Sequence, residues 1–152
     1  MIRPYLGALT VTLVEMESAR EAVKLIKIYI SEKISFNQET TLSGKSIIKN
    51  IKLAKENGFY IVMNYIGVKN PEIAKDRVKI RVNKGGHGIS DDTIETRYCS
   101  LLKNLKAVIK VCDEITIYDN TEIFKEILDY KDGNLIWEDK NMPNSANNLL
   151  DK

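Results

Sequence analysis

Apolar and polar positions change period several times along the chain, and each change predicts an element. Residues 6 to 14 (Leu-Gly-Ala-Leu-Thr-Val-Thr-Leu-Val) form a short apolar, β-branched run that reads as a strand. No glycine-rich loop follows it. Ser18 with Glu21 makes a capping-box pattern, and Ala22, Leu25, Ile26 and Tyr29 continue one helical face to about Lys33. The next run, from Ile34, is strand-like and enters the polar residues Glu39, Thr40 and Thr41, after which a Ser-Gly turn leads to a helical pattern from Lys45 to Asn57. Ile47, Ile48, Ile51 and Ala54 mark the inward face of that helix, and Gly58 sits where its C-terminal cap belongs. Phe59 to Gly67 is almost wholly apolar, as a strand buried on both faces should be. Strand, helix and strand within about 35 residues predict a parallel βαβ unit, so the expected class is α/β with a mostly parallel sheet.

Asn70 and Pro71 supply an N-cap and a first-turn proline for a helix through about Asn83. Ser90 caps a second helix, with Asp91 and Asp92 favourably placed in its first turn and Ile94, Tyr98, Leu101, Leu105 and Val108 along its apolar face. Between them lies Lys84-Gly85-Gly86-His87-Gly88. Two helices joined by a flexible, basic connection resemble the lid of a phosphotransferase, which closes over the transferring phosphate and excludes water. Glu114 to Tyr118 alternates as a strand and ends at Asp119-Asn120, and Phe124 to Trp137 reads as a hairpin about Asp132-Gly133. From about Asn141 the chain is polar and is expected to fray, giving one domain over residues 1–140 and a tail over 141–152.

Composition narrows the classes of function. A chain of 152 residues with 43% hydrophobic and 29% charged positions suits one globular domain with a sizeable core. A net charge of +2, without an aromatic RNA-binding motif, argues against nucleic acid as a partner. No membrane span or secretory leader is evident, and Cys99 and Cys112 lack metal or redox spacing, so a cytoplasmic protein with reduced thiols and no membrane partner is expected. No residues are assigned to a metal.

The polar groups of Ile34 to Ser46 would stand at the carboxyl end of a strand, where open α/β sheets bind ligands. Glu39 to Ser46 reads E-T-T-L-S-G-K-S, one residue short of the phosphate-cradling G-x-x-x-x-G-K-[ST]. Glutamate at the first glycine position puts a carboxylate where a phosphate should sit, and Thr40 and Thr41 adopt the required backbone poorly. Gly44 is better read as the opening of the next helix.

Glu39-Thr-Thr-Leu-Ser-Gly44, the apolar strand after Gly58, Arg77-Val-Lys-Ile-Arg81-Val, Gly85-Gly-His87, Arg97-Tyr98, Asn104-Leu105 and Tyr118-Asp-Asn120 occur in the order seen in the zeta toxin family. Over roughly residues 17 to 122 the chain resembles these P-loop kinases, whose best-known members phosphorylate UDP-N-acetylglucosamine with ATP and magnesium. The resemblance implies a P-loop-kinase-like α/β fold with a two-helix lid. It implies that Glu39 and Thr41 help hold the sugar nucleotide, and that Arg77, Arg81, His87 and Arg97 serve the transferring phosphate. Guanidinium groups suit that task because they stay charged and grip phosphate oxygens bidentately. An antitoxin protein is a further partner that the resemblance implies.

Two departures bear on activity. No phosphate-binding loop for ATP precedes residue 17, and no aspartate precedes Asp76 to act as the family's general base; Glu15 and Glu17 have no local support for that role. Loss of a positioned base costs about 10² to 10⁴ in rate, so an N-terminally truncated kinase with weak or no activity by itself is expected, or else a non-catalytic remnant that binds a nucleotide sugar or a partner protein. Each site residue also has a plainer reading. Arg77 and Arg81 among Lys75, Lys79 and Lys84 read equally as a solvated basic face, His87 as an exposed loop residue, Glu39 as a helix cap, and Asp119-Asn120 as a turn pair.

Overall fold

The computed structural model describes residues 13–149, with side chains from Glu21 onward apart from Ser145 and Asn148. Helix α1 spans Leu13–Ser31, α2 Lys45–Glu56, α3 Pro71–Asn83 and α4 Asp91–Ile109; the strands are β1 Val62–Gly67, β2 Glu114–Asp119, β3 Lys125–Lys131 and β4 Asn134–Glu138. A 3-10 helix, Asn144–Leu149, follows β4. The class is α/β, as the periodicities predict.

Local signals placed most elements. Asn70 accepts a hydrogen bond from the Ile73 N–H, and Ser90 accepts one from the Thr93 N–H, so both helices of the pair are capped by their own sequence. Gly44 is the N-cap of α2 and no side chain caps that helix, which leaves Glu39 without a capping role. Gly58 follows the α2 C-cap with φ +81°, a backbone that an L side chain rarely adopts. Asp132 and Gly133, both with positive φ, turn the β3–β4 hairpin.

The sheet has the order β1-β2-β3-β4, with β1 and β2 parallel and the remaining pairs antiparallel. It is therefore mixed rather than mostly parallel, and its parallel crossover runs from β1 through α3 and α4 to β2. The strand expected from Ile34 is not formed, because no described strand lies beside that segment to supply a ladder. Instead Lys33 adopts φ +59°, the Ile34 N–H donates to the Tyr29 carbonyl at 2.9 Å, and Phe36 packs between the rings of Tyr29 and Phe59. Of the strand expected over residues 6 to 14, residues 6–12 lie outside the described residues, and Leu13 and Val14 belong to α1. Ser18 is likewise inside α1, since nothing in Leu13–Glu17 breaks a helix before it.

β1 is not buried on both faces. Its residues alternate between exposed and half-buried, and Val62 and Ile66 are 58% and 55% exposed, because no described element covers that face. The main core lies under α4, where Leu105 and Val108 meet Ile115 and Ile117 of β2 and Leu128 of β3. A smaller cluster joins Ile26 and Ile30 of α1 to Ala54 of α2. Residues 141–149 do not fray as expected: Met142, Ala146 and Leu149 pack on the main core, and the Tyr130 hydroxyl donates to the Leu149 carbonyl at 3.1 Å. These apolar residues cover core surface that would otherwise meet water, which outweighs the polar character of the residues between them.

Asp113 ties the lower end of the sheet together. It accepts from the Ile61 N–H at 2.7 Å and pairs with Lys55 at the end of α2, and its own carbonyl accepts from the Asp132 N–H of the hairpin turn at 2.8 Å. Burial works against its charge, but the Lys55 ammonium and the Ile61 N–H prevail and hold the carboxyl below its ordinary range.

Candidate acceptor site and basic arm

The Glu39–Gly44 turn is built from its own side chains. Thr40 Oγ1 accepts from the Leu42 N–H at 3.1 Å, and the Thr41 and Ser43 hydroxyls share a hydrogen bond of 2.8 Å. Leu42 takes φ +54°, and its side chain is 2% exposed in the main core. Asn104, 62 residues away on α4, donates from Nδ2 to the Leu42 carbonyl at 2.7 Å. Glu39 and Thr41 are left facing solvent at the rim of this turn.

α3 and the first half of α4 form an arm. Gly85 ends α3 with φ +82°, and a Cβ on Gly86 would lie 2.7 Å from Arg81 Cγ. One on Gly88 would lie 2.9 Å from a Val82 methyl. Glycine is thus required for the tight return of the chain past Arg81 and Val82. Lys75 and Glu95 pair across the two helices, and the arm meets the sheet through the Tyr98 hydroxyl, which donates to the Val68 carbonyl at 3.0 Å. Burial raises the Tyr98 and Tyr65 phenols above their ordinary range, so both stay protonated at the end of β1.

Arg77 makes the second attachment. Its Nη2 donates to the Asn120 carbonyl and, at 3.1 Å, to the Thr121 carbonyl. The turn it grips is itself fixed. Asp119 accepts from the Thr121 hydroxyl at 2.6 Å and N–H at 3.0 Å, the Asn120 N–H donates to the Gly67 carbonyl at 2.8 Å, and the Lys69 N–H donates to Thr121 Oγ1 at 3.0 Å. Arg81, His87 and Arg97 are exposed, and among the described residues their side chains make no hydrogen bond or ion pair. Among the described residues no hydrogen bond or ion pair joins Glu39 or Thr41 to any of the four basic residues, so the Glu39–Gly44 turn and the arm are linked through α4 and not directly.

The structure thus brings together pieces that are far apart in the chain: Leu42 with Asn104, Arg77 with Asn120, and Tyr98 with Val68. Thr40 and Leu42 carry the geometry of the turn, and sequence reasoning passed over both. The Thr40 hydroxyl two residues before an apolar residue was the available signal for Thr40; nothing local announces a left-handed leucine.

The same turn does not fit a nucleotide triphosphate. The Leu42 N–H is spent on Thr40 and the Leu42 side chain is buried, so the backbone donors needed to cradle a phosphate do not converge. Among the described residues no group of three His, Cys, Asp or Glu side chains is placed to hold a metal ion. A cavity of about 40 Å³ lies between Tyr65, Tyr98, Leu102 and Ile117, smaller than any nucleotide. One of about 500 Å³ opens between Lys106, Lys110, Tyr130 and Leu135 and shares no residue with the Glu39–Gly44 turn or with the arm's basic residues.

Comparison with known proteins returns an uncharacterized protein of Haemophilus influenzae, 46% identical over 86 residues, which are 57% of this chain and 61% of that protein. The chain therefore spans about three-fifths of that relative's length. No protein-family model matches. No solved structure matches. No described helix is long and apolar enough to cross a membrane.

Proposed function

We propose that this chain is zeta-toxin-like and binds the acceptor of an ATP-dependent phosphoryl transfer, a sugar nucleotide such as UDP-N-acetylglucosamine, with weak or no transfer by these residues alone. One observation carries the reading. Of the seven motif pieces whose order resembles the zeta toxin family, scattered over about 80 residues, four meet in two pairs, Leu42 with Asn104 and Arg77 with Asn120.

In this reading Glu39 accepts hydrogen bonds from the sugar nucleotide and Thr41 offers a hydroxyl beside it. Arg81, His87 and Arg97, uncommitted among the described residues, neutralise its phosphates or the charge that develops during transfer, a contribution of the kind worth about 10³ or more in phosphoryl-transfer enzymes. Magnesium and ATP are implied by the family, but the Glu39–Ser46 turn does not fit them, so no step is assigned to them here. A cytoplasmic location and a masking antitoxin go with the same proposal.

A second reading, a non-catalytic module that binds a protein partner, is favoured by the outer edge of β1, which pairs with no other strand among the described residues. Val62–Gly67 holds no charge and no proline, two of the devices that usually protect an edge strand.

Calorimetric titration with UDP-N-acetylglucosamine, and separately with ATP and magnesium, tests the proposal. Sugar-nucleotide binding that is lost in Glu39→Ala is expected. No binding by folded protein would overturn the acceptor reading and leave the protein-binding one.

A further inference from the structure

We infer that Asn104 is a positioning residue for the acceptor turn: its side-chain amide holds the Leu42 carbonyl and thereby aims Glu39 and Thr41. The aim toward a sugar nucleotide rests on the function proposed above; the anchoring itself does not.

Leu42 has a left-handed backbone, which its Cβ disfavours and which persists only where the surroundings over-determine it. Three contacts do so here. The buried side chain pins the residue to the core, Thr40 holds its N–H, and Asn104 holds its carbonyl. The first contact fixes where Leu42 sits; only the other two fix the peptide planes on either side of it, and hence the direction of residues 39–41. Thr40 belongs to the turn and moves with it. Asn104 does not: it precedes Leu105, which is 0% exposed, on the most deeply packed part of α4. The amide is therefore a fixed reference against which the turn is set. A polar amide half-buried beside core leucines is costly without a partner, and among the described residues its partner is this one carbonyl. The helix that carries it also carries Arg97, so one rigid element registers the acceptor turn with the arm.

The test uses Asn104→Ala and the isosteric Asn104→Asp, which loses the donor but keeps the shape should alanine impair folding. Two readouts are taken: UDP-N-acetylglucosamine affinity by calorimetry, alone and combined with Glu39→Ala, and hydrogen exchange of the Leu42 and Ser43 amides. Expected are affinity weakened about tenfold, as loss of one hydrogen bond implies, and faster exchange confined to residues 40–44. The Asn104 variant should add no further loss on top of Glu39→Ala, because it acts through the turn. Unchanged exchange in both variants, or a loss that adds fully to that of Glu39→Ala, would overturn the inference. Absence of sugar-nucleotide binding by the wild-type protein would overturn the acceptor reading instead, and the exchange result would still decide whether Asn104 anchors the turn.

Discussion

The two halves of α4 live in different surroundings. From Leu105 onward the helix is packed against β2 and β3, with Leu105 and Val108 excluded from solvent. Its first half pairs with α3, a helix without a single buried residue, through the Lys75–Glu95 pair, and this arm is held to the rest by the Tyr98 hydroxyl and the Arg77 guanidinium. Apolar burial is strong and indifferent to direction, so it fixes the body. Polar contacts at a surface are each worth little and are directional. An element held by them opens at small cost.

The contrast breaks most sharply in the core. Leu105→Ala should lower stability by about 2 to 5 kcal/mol, the range for deleting a buried leucine side chain. Ile80→Ala, on the exposed side of α3, should stay within about 0.5 kcal/mol. Urea unfolding of both variants checks the difference; equal losses would mean that the arm is as much a part of the core as α4.

Acid probes the body through Asp113. Its carboxyl is held below the ordinary value of 3.8 in the folded chain. Its contribution is therefore fully present above the unfolded value and is lost as pH falls through the folded one, in the region below about pH 4. Asp113→Asn should be less stable than the wild type at pH 6, with the gap narrowing at pH 3 as the wild-type carboxyl protonates. Thermal unfolding at the two values tests this, and a gap that widens on acidification contradicts it.

A smaller effect is expected in the arm. Arg77→Ala should speed hydrogen exchange across α3 by roughly tenfold or more, through loss of its hydrogen bonds to the Asn120 and Thr121 carbonyls, while the unfolding midpoint of the chain stays the same. If the midpoint falls instead, Arg77 supports the body and not only the arm. The smallest effect concerns the thiols. Burial pushes the Cys112 thiol up to about 11, whereas Cys99 is exposed on the arm. A disulfide reagent at pH 8 should therefore label Cys99 at once and Cys112 only on unfolding.

How much was legible follows the same division. α2 and α3 were readable with their ends, and α4 with its start, because a cap, a left-handed glycine and an apolar stripe act within a few residues. Asn70, Ser90 and Gly58 all behave as their types predict. The hairpin about Asp132-Gly133 was readable for the same reason. The segment from Ile34 was not, since an apolar run becomes a strand only if a neighbour accepts its hydrogen bonds, and here Phe36 found Tyr29 and Phe59 instead. The docking of Met142, Ala146 and Leu149 was hidden among polar letters. At the candidate site, the residue types of Glu39, Thr41 and the basic arm stood out in the chain. That Arg77 grips two carbonyls while Arg81 and Arg97 have no such partner among the described residues did not.

The sequence by itself determined where α2 and α3 start and stop, where α4 starts, and which chemical groups are available: a carboxylate and hydroxyls before α2, guanidinium groups along α3 and α4, and glycines between them. Those properties depend on backbone preferences and contacts within a turn or two. Tertiary structure alone decided the mixed order of the sheet, the exposed face of β1, the left-handed Leu42 and the link from Asn104 to its carbonyl. Each of these depends on what lies across a gap of dozens of residues, where no local preference reaches and the choice falls to whichever packing buries the most apolar surface while leaving the fewest polar groups unpaired.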